Sequence, residues 1–239
     1  MVSFRRVVGC EAIAAAFFFA SITLFAQQPD AASPVRGIDV SVQSRNDHIA
    51  GYTATEHYAV FRNNDETNPA AEMTVKTVYR KDTGKNYTIL SESGSALIRD
   101  ELLHSILDTE KHMSLPGNRE TVLITSTNYE MKLKSPEMQS LNGRDCLVLT
   151  LTPKRKDPSL FAGTLWVDAK DDSIVQLEGM ASKSHTILSG PAQVSRQYAI
   201  VEGLPMATHA KAISNSFLLG KTVVKIDYSD YQIELQPSH

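Results

Sequence analysis

The chain has 239 residues, of which 42% are hydrophobic and 21% are charged, and its net charge is −3. This is the composition of a globular protein, and a sheet-rich chain of this length forms one domain of about 200 residues by default. Acidic and basic residues are mixed and no basic run occurs. This distribution argues against nucleic acid as the main partner and against strong electrostatic docking on an anionic membrane.

The N-terminal segment has the parts of a secretory signal peptide. Arg5 and Arg6 supply positive charge, residues 12–26 form an apolar and small-residue run, and Gln27 begins a polar stretch. The run is shorter than the roughly 20 residues that a helix needs to cross a bilayer. We therefore expect a signal peptide over residues 1–26, export across the inner membrane and a periplasmic location, with no transmembrane segment after processing.

The two cysteines predict no disulfide in the processed chain. Cys10 precedes the apolar run instead of following it, so it does not have the position of a lipidated cysteine. Cys146 lies in an apolar strand pattern, where a packed small side chain is the expected role. A nucleophilic or redox thiol at Cys146 would need a nearby base or a second cysteine. Without a disulfide, the exported chain must be stabilised by its core.

The region before the first long strand is the least clear part of the pattern. Residues 27–37 are polar and contain proline, which predicts a flexible leader ahead of a single domain over residues 38–239. Residues 38–50 fit either a strand or a helix, and we favour a short helix. Alternation of apolar and polar residues then predicts an antiparallel meander. Its strands are expected at residues 52–62, 72–80 and 85–91.

One amphipathic helix interrupts the strands between Ser95 and Met113. Pro116 and Gly117 follow it and are typical of a helix end. An apolar stripe cannot stay in water, so this helix must cover a face of the sheet. Each aliphatic side chain of the stripe contributes about 1.5–3 kcal/mol when it is buried. The residues of the stripe are Ile98, Leu102, Leu103, Ile106 and Leu107.

From residue 129 onward the pattern is nearly all strand, and its clearest unit is a hairpin over residues 161–179. The expected register pairs Trp166 with Val175, and Thr164 with Leu177, which places these four side chains on one face. Trp166, the one tryptophan, is either a core residue or a ligand contact. In total the pattern predicts a mainly β (α+β) chain: about ten antiparallel strands in one open or closed barrel-like sheet, covered by one amphipathic helix.

No motif for metal binding is found. His104 and His112 lie on the predicted helix without the spacing of a zinc site, so a surface helix is favoured over a metal pair. Asp168, Asp171 and Asp172 crowd a hairpin turn that lacks the alternating ligands of a calcium loop. Turn chemistry is therefore the favoured explanation for these three residues, and we expect neither a metal nor a cofactor.

No catalytic set is visible either. A hydrolase that used His57, His104 or the turn at Asp171 is the weakest of three hypotheses, because no nucleophile with a base and an orienting group can be identified. We therefore expect that the protein is not an enzyme.

Four segments carry a resemblance to a known superfamily. Together with the order of the elements, they resemble exported bacterial proteins of the outer-membrane lipoprotein-sorting superfamily, the LolA-like and RseB/MucB-like proteins. The similarity covers about residues 40–235. The segments are Gly143-Arg-Asp-Cys-Leu-Val-Leu-Thr-Leu, Phe161-x-Gly-Thr-Leu-Trp-Val-Asp, Ile174-Val-Gln-Leu-Glu-Gly and Lys225-Ile-Asp-Tyr-x-Asp-Tyr.

This resemblance implies a half-open antiparallel barrel around a helix, with an apolar concave interior for acyl chains. We accordingly expect a non-enzymatic periplasmic protein that binds a lipid acyl chain or a lipoprotein. The alternative is an envelope regulatory or interaction module of RseB/MucB type that binds a membrane-anchored partner. Acyl-chain affinity comes from dispersed apolar contacts, at about 0.8 kcal/mol per CH₂, and so leaves no motif. The expected cavity residues are Trp166, Val175, Leu177, Leu147, Leu149 and Ile226.

Overall fold

Ten strands of the described chain form one antiparallel sheet in a computed structural model, which describes residues 32–183, 191–216 and 220–237. In chain order the strands are β1 (Ile49–Arg62), β2 (Ala71–Arg80), β3 (Gly84–Gly94), β4 (Tyr129–Leu141), β5 (Arg144–Pro153), β6 (Phe161–Asp168), β7 (Ile174–Ala181), β8 (Gln193–Val201), β9 (Leu204–Ser216) and β10 (Gly220–Leu235).

Neighbouring strands in the sheet follow the order β3-β2-β1-β10-β9-β8-β7-β6-β5-β4. Each strand pairs with its neighbour in sequence, except that β1 pairs with β10 and that β3 and β4 are the two edges. The sheet is therefore open, and the predicted mainly β architecture of about ten antiparallel strands is confirmed.

The predicted amphipathic helix is present in three consecutive parts: α2 (Ala96–Ile98), a π-helical turn (Arg99–Leu103) and α3 (His104–Ser114). The Oγ of Ser95 accepts a hydrogen bond from the backbone N–H of Ile98, 3.5 Å away, which caps the first turn. Pro116 then begins a short helix, α4 (Pro116–Arg119), because proline is tolerated in a first helical turn and cannot continue α3.

The apolar stripe of this helix faces the sheet. Ile98, Leu103 and Leu107 are buried, while Leu102 and Ile106 are partly buried and pack against the same cluster. We call this group the α3 cluster. Its buried strand residues come from β1, β2 and β10, and they are Tyr58, Val60, Ala71, Met73, Val75, Val224 and Ile226.

A second helix, α1 (Ala32–His48), covers the other half of the sheet on the same side. The sequence predicted one covering helix and a flexible leader up to residue 37, whereas the chain is helical from Ala32. The favoured helix over residues 38–50 is present and ends at His48, where β1 begins. The predicted signal peptide, residues 1–26, lies outside the described residues.

Ile38 is the residue of α1 that inserts fully into the sheet, with Val35 and Val42 partly buried beside it. We call the resulting group the α1 cluster. Its buried strand and loop residues are Tyr129, Met131, Leu149, Leu151, Leu160, Leu165, Val167, Ile174 and Leu177. The side of the sheet that carries both helices and both clusters is called the inner side below. In the part of the chain that the structure describes, no helix is long and apolar enough to cross a membrane.

Candidate functional site

Four charged side chains form a row on the inner side of the sheet, from β3 beside the α3 cluster to β8 beside the α1 cluster. They are Glu56 on β1, Lys85 on β3, Glu110 on α3 and Arg196 on β8, and we call them the polar seam. Strand alternation places Glu56 inward, because its neighbour two residues on, Tyr58, belongs to the α3 cluster. The side chain of Glu56 is 1% exposed, so this carboxylate must be satisfied by partners within the protein.

Lys85 links the two carboxylates of the polar seam. Its Nζ is 2.5 Å from Oε2 of Glu110 and 3.5 Å from Oε1 of Glu56. The hydroxyl of Tyr58 donates to Oε2 of Glu56 at 2.5 Å, and that of Tyr87 donates to Oε2 of Glu110 at 3.2 Å. Each carboxylate is therefore paired with a lysine and a tyrosine, which offsets the cost of placing its charge inside the protein.

Lys85 and Glu110 are both charged at neutral pH. Burial acts to lower the pKa of Lys85, but Glu110, together with Tyr52 and Glu56, outweighs it and holds that pKa well above its ordinary value. Burial likewise acts to raise the pKa of Glu110, but the charges of Lys85 and Arg196 hold it below the ordinary value. The pair is a fixed ionic element and not a proton-transfer pair.

Tyrosines surround the polar seam. Burial raises the pKa of Tyr58, Tyr87 and Tyr228, so their hydroxyls remain neutral hydrogen-bonding groups. Tyr228 packs against the α3 cluster and Tyr198 against the α1 cluster, and both stay partly accessible. A tyrosine combines an apolar ring with a polar tip, so this lining suits a ligand with both characters.

Strand β9 presents small side chains to the inner side beside the seam. Ala210 pairs with Arg196 on one side and with Ile226 on the other, and Ala212 pairs with Val224. Ala210 and Ala212 are both partly accessible, although they lie on the inner side of a central strand. At these two positions β9 therefore presents only methyl groups to the inner side, beside Arg196.

The structure places four of the six predicted cavity residues in or beside the two apolar clusters. Leu149 and Leu177 belong to the α1 cluster, and Leu147 packs against it. Ile226 belongs to the α3 cluster. Leu177 pairs directly with Arg196, so the predicted set borders the polar seam on both sides. That these residues contact a ligand stays a prediction.

The predicted register of the β6–β7 hairpin is wrong beyond its first pair. Val167 pairs with Ile174 as expected, but Trp166 pairs with Gln176 because Val175 is an extra, bulged residue on β7. The bulge moves Leu177 opposite Leu165 on the inner side. The indole N–H of Trp166 points instead to the outer side, where it donates to Oε1 of Gln139 at 3.1 Å. Trp166 is half-buried there, away from the polar seam.

The candidate hydrolase residues are not brought together. His57 faces the outer side, with its Nδ1 3.1 Å from Oγ1 of Thr74. The Nε2 of His104 lies on the helix side of β3, 2.8 Å from Oε1 of Glu92. Asp171 is at the β6–β7 turn, where the guanidinium of Arg144 holds it at 3.2 Å.

The candidate metal and thiol residues have structural partners. Arg144 also contacts Asp168 at 2.5 Å, so the acidic turn is held by a guanidinium. The Nε2 of His112 lies 3.1 Å from Nδ2 of Asn118. Within the described ranges, no group of three or more His, Cys, Asp or Glu side chains is arranged to hold a metal ion. Cys146 is a free, buried thiol, and burial raises its pKa, as expected of a packed side chain.

The polar seam was missed at the level of sequence, although a signal for it exists. Three inner-facing charges stand two residues before a tyrosine: Glu56 before Tyr58, Lys85 before Tyr87 and Arg196 before Tyr198. In a strand this spacing puts the charge and the ring on one face. A charge that repeatedly shares the apolar face of a strand therefore indicates a buried polar network.

An open concavity lies beside α1. It is a groove of about 560 Å³ between this helix and the turns that join β6 to β7 and β8 to β9. Exposed Val40 and Ile200 line it, together with Arg36 and Asp171. The groove is separate from the polar seam, since none of the four seam residues lines it.

No protein-family model matches the sequence, and no curated protein matches it. Solved structures of similar fold include a LolA superfamily protein from Nitrosomonas europaea, which is 14% identical over 87% of this chain and 94% of that one, with a TM-score of 0.42. A putative outer membrane lipoprotein-sorting protein domain from Vibrio parahaemolyticus is 12% identical over 87% and 95%, with a TM-score of 0.46.

MucB, in a structure of its complex with MucA(peri), is 10% identical over 87% of this chain and 100% of that one, with a TM-score of 0.25. The chemistry of the site rests on the residues of this chain.

Proposed function

We propose that this protein is a non-enzymatic, periplasmic binding protein that holds an amphipathic ligand of lipid type, a lipid acyl chain or the lipid part of a lipoprotein, on the inner side of its sheet. One observation carries the proposal. The α1 and α3 clusters line two separate parts of the inner side, and the end of the polar seam at Arg196, next to Tyr198 and Tyr228, is partly accessible. In particular, the side chain of Arg196 is 43% exposed although it lies between the two covering helices.

The chemistry of this region fits an amphipathic ligand. An acyl chain placed along Ala210 and Ala212 would contact apolar side chains of both clusters, and each buried CH₂ contributes about 0.8 kcal/mol. The tyrosine hydroxyls and Arg196 would meet the polar end of the same molecule. A charged group and a phenolic group are both costly to bury without partners. A core that is filled by apolar side chains is therefore not expected to hold them at its centre.

The non-enzymatic part of the proposal rests on the composition of the polar seam. Its carboxylates are engaged by Lys85, Tyr58 and Tyr87, and its tyrosines are neutral, so no activated nucleophile stands beside a free base. The periplasmic location follows from the signal peptide that the sequence predicts.

A blocking variant tests the proposal. Ala210→Trp fills the space beside Arg196, and His209→Trp adds the same ring at the adjacent, exposed position on the outer side. We expect a fluorescent fatty-acid probe to bind the lipid-free wild type. Ala210→Trp should lose about tenfold or more in affinity, which corresponds to about 1.4 kcal/mol, while His209→Trp should keep wild-type affinity.

Thermal unfolding of all three proteins shows whether the variants are folded. Native mass spectrometry of the protein as purified adds a second measurement, since a retained ligand appears as a defined mass increment. A wild type that neither retains nor binds any acyl molecule overturns the proposal, as does an equal loss in both tryptophan variants.

The edges of the sheet favour one second candidate, an interaction module that binds a membrane-anchored protein. Edge β4 carries Lys132, Lys134 and Pro136 and two register breaks, which are devices that prevent pairing with another strand. Edge β3 has one register break, at Leu90, and exposes two apolar neighbours, Ile89 and Leu90. An extended segment of a partner could add to this edge by main-chain hydrogen bonds.

Matched charge substitutions on the two edges separate this candidate from lipid binding. Leu90→Lys on β3 should abolish capture of such a partner from solubilised envelope membranes, while Met138→Lys on the edge β4 should not. Capture that depends on Leu90 and is unaffected by added acyl ligand would favour the interaction module. Capture that is equal in both variants would count against it.

A further inference from the structure

Arg196 is the least satisfied charged group of the polar seam. The two carboxylates have closer partners: Lys85 lies 2.5 Å from Glu110, and the hydroxyl of Tyr58 lies 2.5 Å from Glu56. The nearest contact of the Arg196 guanidinium with a carboxylate joins Nη2 to Oε1 of Glu110 over 3.9 Å. At that separation the two charges attract each other, but they do not form a hydrogen bond.

Some N–H donors of the Arg196 guanidinium are therefore available to a ligand. An arginine presents five N–H groups in a planar fork. The groups that interact with Arg196 in the structure are Tyr228, Tyr198, to which it is hydrogen-bonded, and Glu110. Its side chain is 43% exposed. The remaining N–H groups thus face the accessible part of the inner side, beside Ala210, with which Arg196 pairs.

The surroundings of Arg196 make an anion the ligand that its donors fit best. A guanidinium fork binds a phosphate or a carboxylate through two parallel hydrogen bonds. The ring of Tyr228 and the apolar clusters reduce the local polarity, which strengthens a charge-assisted hydrogen bond compared with one in bulk water. The hydroxyls of Tyr198 and Tyr228 can donate to the remaining oxygens of the same anion.

Lys85 does not compete for this role. Lys85 is 15% exposed, and its ammonium group forms ion pairs with the carboxylates of Glu56 and Glu110. An added anion would disrupt these contacts at Lys85, whereas at Arg196 it would occupy donors that the protein leaves unfilled.

We propose that Arg196 binds the anionic head group, a phosphate or a carboxylate, of an amphiphile whose chain lies on the inner side of the sheet. This inference rests on the proposed function and makes it more specific, since it assigns the protein to acidic lipids in preference to neutral ones. The same site could bind free phosphate, so the experiment includes both sources of the anion.

Two ligands with the same chain isolate the head group. Palmitoyl-lysophosphatidylglycerol differs from monopalmitoylglycerol by its anionic phosphoglycerol group, and inorganic phosphate supplies an anion without a chain. Affinities are measured by calorimetry on the full, lipid-free protein. We expect wild type to bind the acidic lipid about 10- to 100-fold more tightly than the neutral one, the range that a charge-assisted pair contributes.

Arg196→Gln should remove this preference and leave the affinity for monopalmitoylglycerol unchanged. Arg196→Lys keeps the charge without the fork and should retain part of the preference, which also shows that the position tolerates substitution. Lys211→Gln, a loss of the same charge on the outer side of β9, is the matched control and should bind as wild type does.

Equal affinities of wild type for the two lipids overturn the inference but leave the proposed function standing, and so does a preference that Arg196→Gln retains. If neither lipid binds, the proposed function fails. In that case, binding of inorganic phosphate that is lost in Arg196→Gln would keep the anion site with a free anion as its ligand. Absence of phosphate binding as well would overturn both.

Discussion

The two helices that cover the inner side of the sheet are held there by different interactions. The helix of α2 and α3 docks through aliphatic side chains, three of which are buried: Ile98, Leu103 and Leu107. Helix α1 inserts Ile38 fully, with Val35 and Val42 partly buried, and adds side-chain hydrogen bonds to distant parts of the chain. Both helices also make polar contacts, which on α3 come from Glu110 and His104. The helix of α2 and α3 buries more large side chains, and α1 depends on its polar contacts to a greater extent.

The polar contacts of α1 are spread along its length. The carboxylate of Asp39 accepts hydrogen bonds from the backbone N–H and the hydroxyl of Ser126, at 2.7 and 2.5 Å. Farther along, Nε of Arg45 donates to the carbonyl of Pro205 at 2.7 Å. Burial tolerates small shifts of a helix, whereas hydrogen bonds fix its position, so we expect the two halves of the molecule to respond differently to substitution.

The largest effect is expected where burial is complete. Leu103 is 0% exposed and lies in the π-helical turn over the α3 cluster. Leu103→Ala should lower the free energy of unfolding by about 2–5 kcal/mol, because it removes buried methyl groups and leaves a cavity. Urea unfolding measures this loss. Leu97→Ala, at a 62% exposed position of the same helix, should change stability little, and a similar loss in both variants would contradict the assigned face.

The difference between the two helices explains which parts of the fold could be predicted from the sequence. The helix over residues 95–113 was predictable because its anchors are aliphatic and recur at helical spacing. Only the part of helix α1 after residue 37 was predicted from the sequence. Much of the docking of α1 rests on Asp39 and Arg45, whose partners are 87 and 160 positions away in the chain. Local pattern carries no information on such pairings.

The site was harder to predict than the fold for the same reason. One bulged residue, Val175, brings Leu177 to the inner side opposite Leu165, while Trp166 lies on the outer face of β6, and no local feature of the hairpin marks that bulge. The polar seam joins β1, β3, α3 and β8, so its members meet only in the folded sheet. What the sequence does show is the charge placed two residues before a tyrosine, as in Lys85 and Tyr87.

The polar anchor of α1 can be broken at Asp39. Asp39→Ala leaves the backbone N–H and hydroxyl of Ser126 without their acceptor, and we expect a loss of about 1–3 kcal/mol in the free energy of unfolding. Asp47→Ala, on the same helix, removes a more exposed carboxylate whose ion pair with Lys81 spans 3.4 Å, and should cost under about 1 kcal/mol. Equal losses in the two variants would show that α1 does not depend on the Asp39 contact.

A close approach between α1 and the β6–β7 turn offers a smaller, more specific test. Gly37 lies against the carboxylate of Asp172, and a Cβ at this position would overlap it. Gly37→Ala gains up to about 1 kcal/mol of helix propensity, but the overlap should cost about 1–3 kcal/mol. We therefore expect the free energy of unfolding, measured with urea, to fall by about 1 kcal/mol.

A second substitution identifies the cause of that loss. Asp172→Gly removes the carboxylate and accepts the positive φ of 56° at this position. In the Gly37→Ala background it should restore the propensity gain, so that the double variant is more stable than Asp172→Gly alone. Additive effects of the two substitutions would rule out the contact as the reason.

The smallest effect concerns the charge of Asp172 itself. Burial, reinforced by the neighbouring carboxylates of Asp171 and Asp168, raises the pKa of Asp172 above its ordinary value. The folded state therefore favours the protonated acid. The stability that this group contributes is complete at low pH, below the pKa of the unfolded chain, and is lost as the pH rises through the higher pKa of the folded state.

Asp172→Asn is neutral at every pH and fits the positive φ of 56°. We expect the variant to be more stable than wild type at pH 7, and its advantage to shrink as the pH falls toward about 4, the ordinary range of an aspartate. Urea midpoints across this pH range measure the difference. An advantage of Asp172→Asn that grows on acidification would contradict the predicted direction of the pKa shift of Asp172.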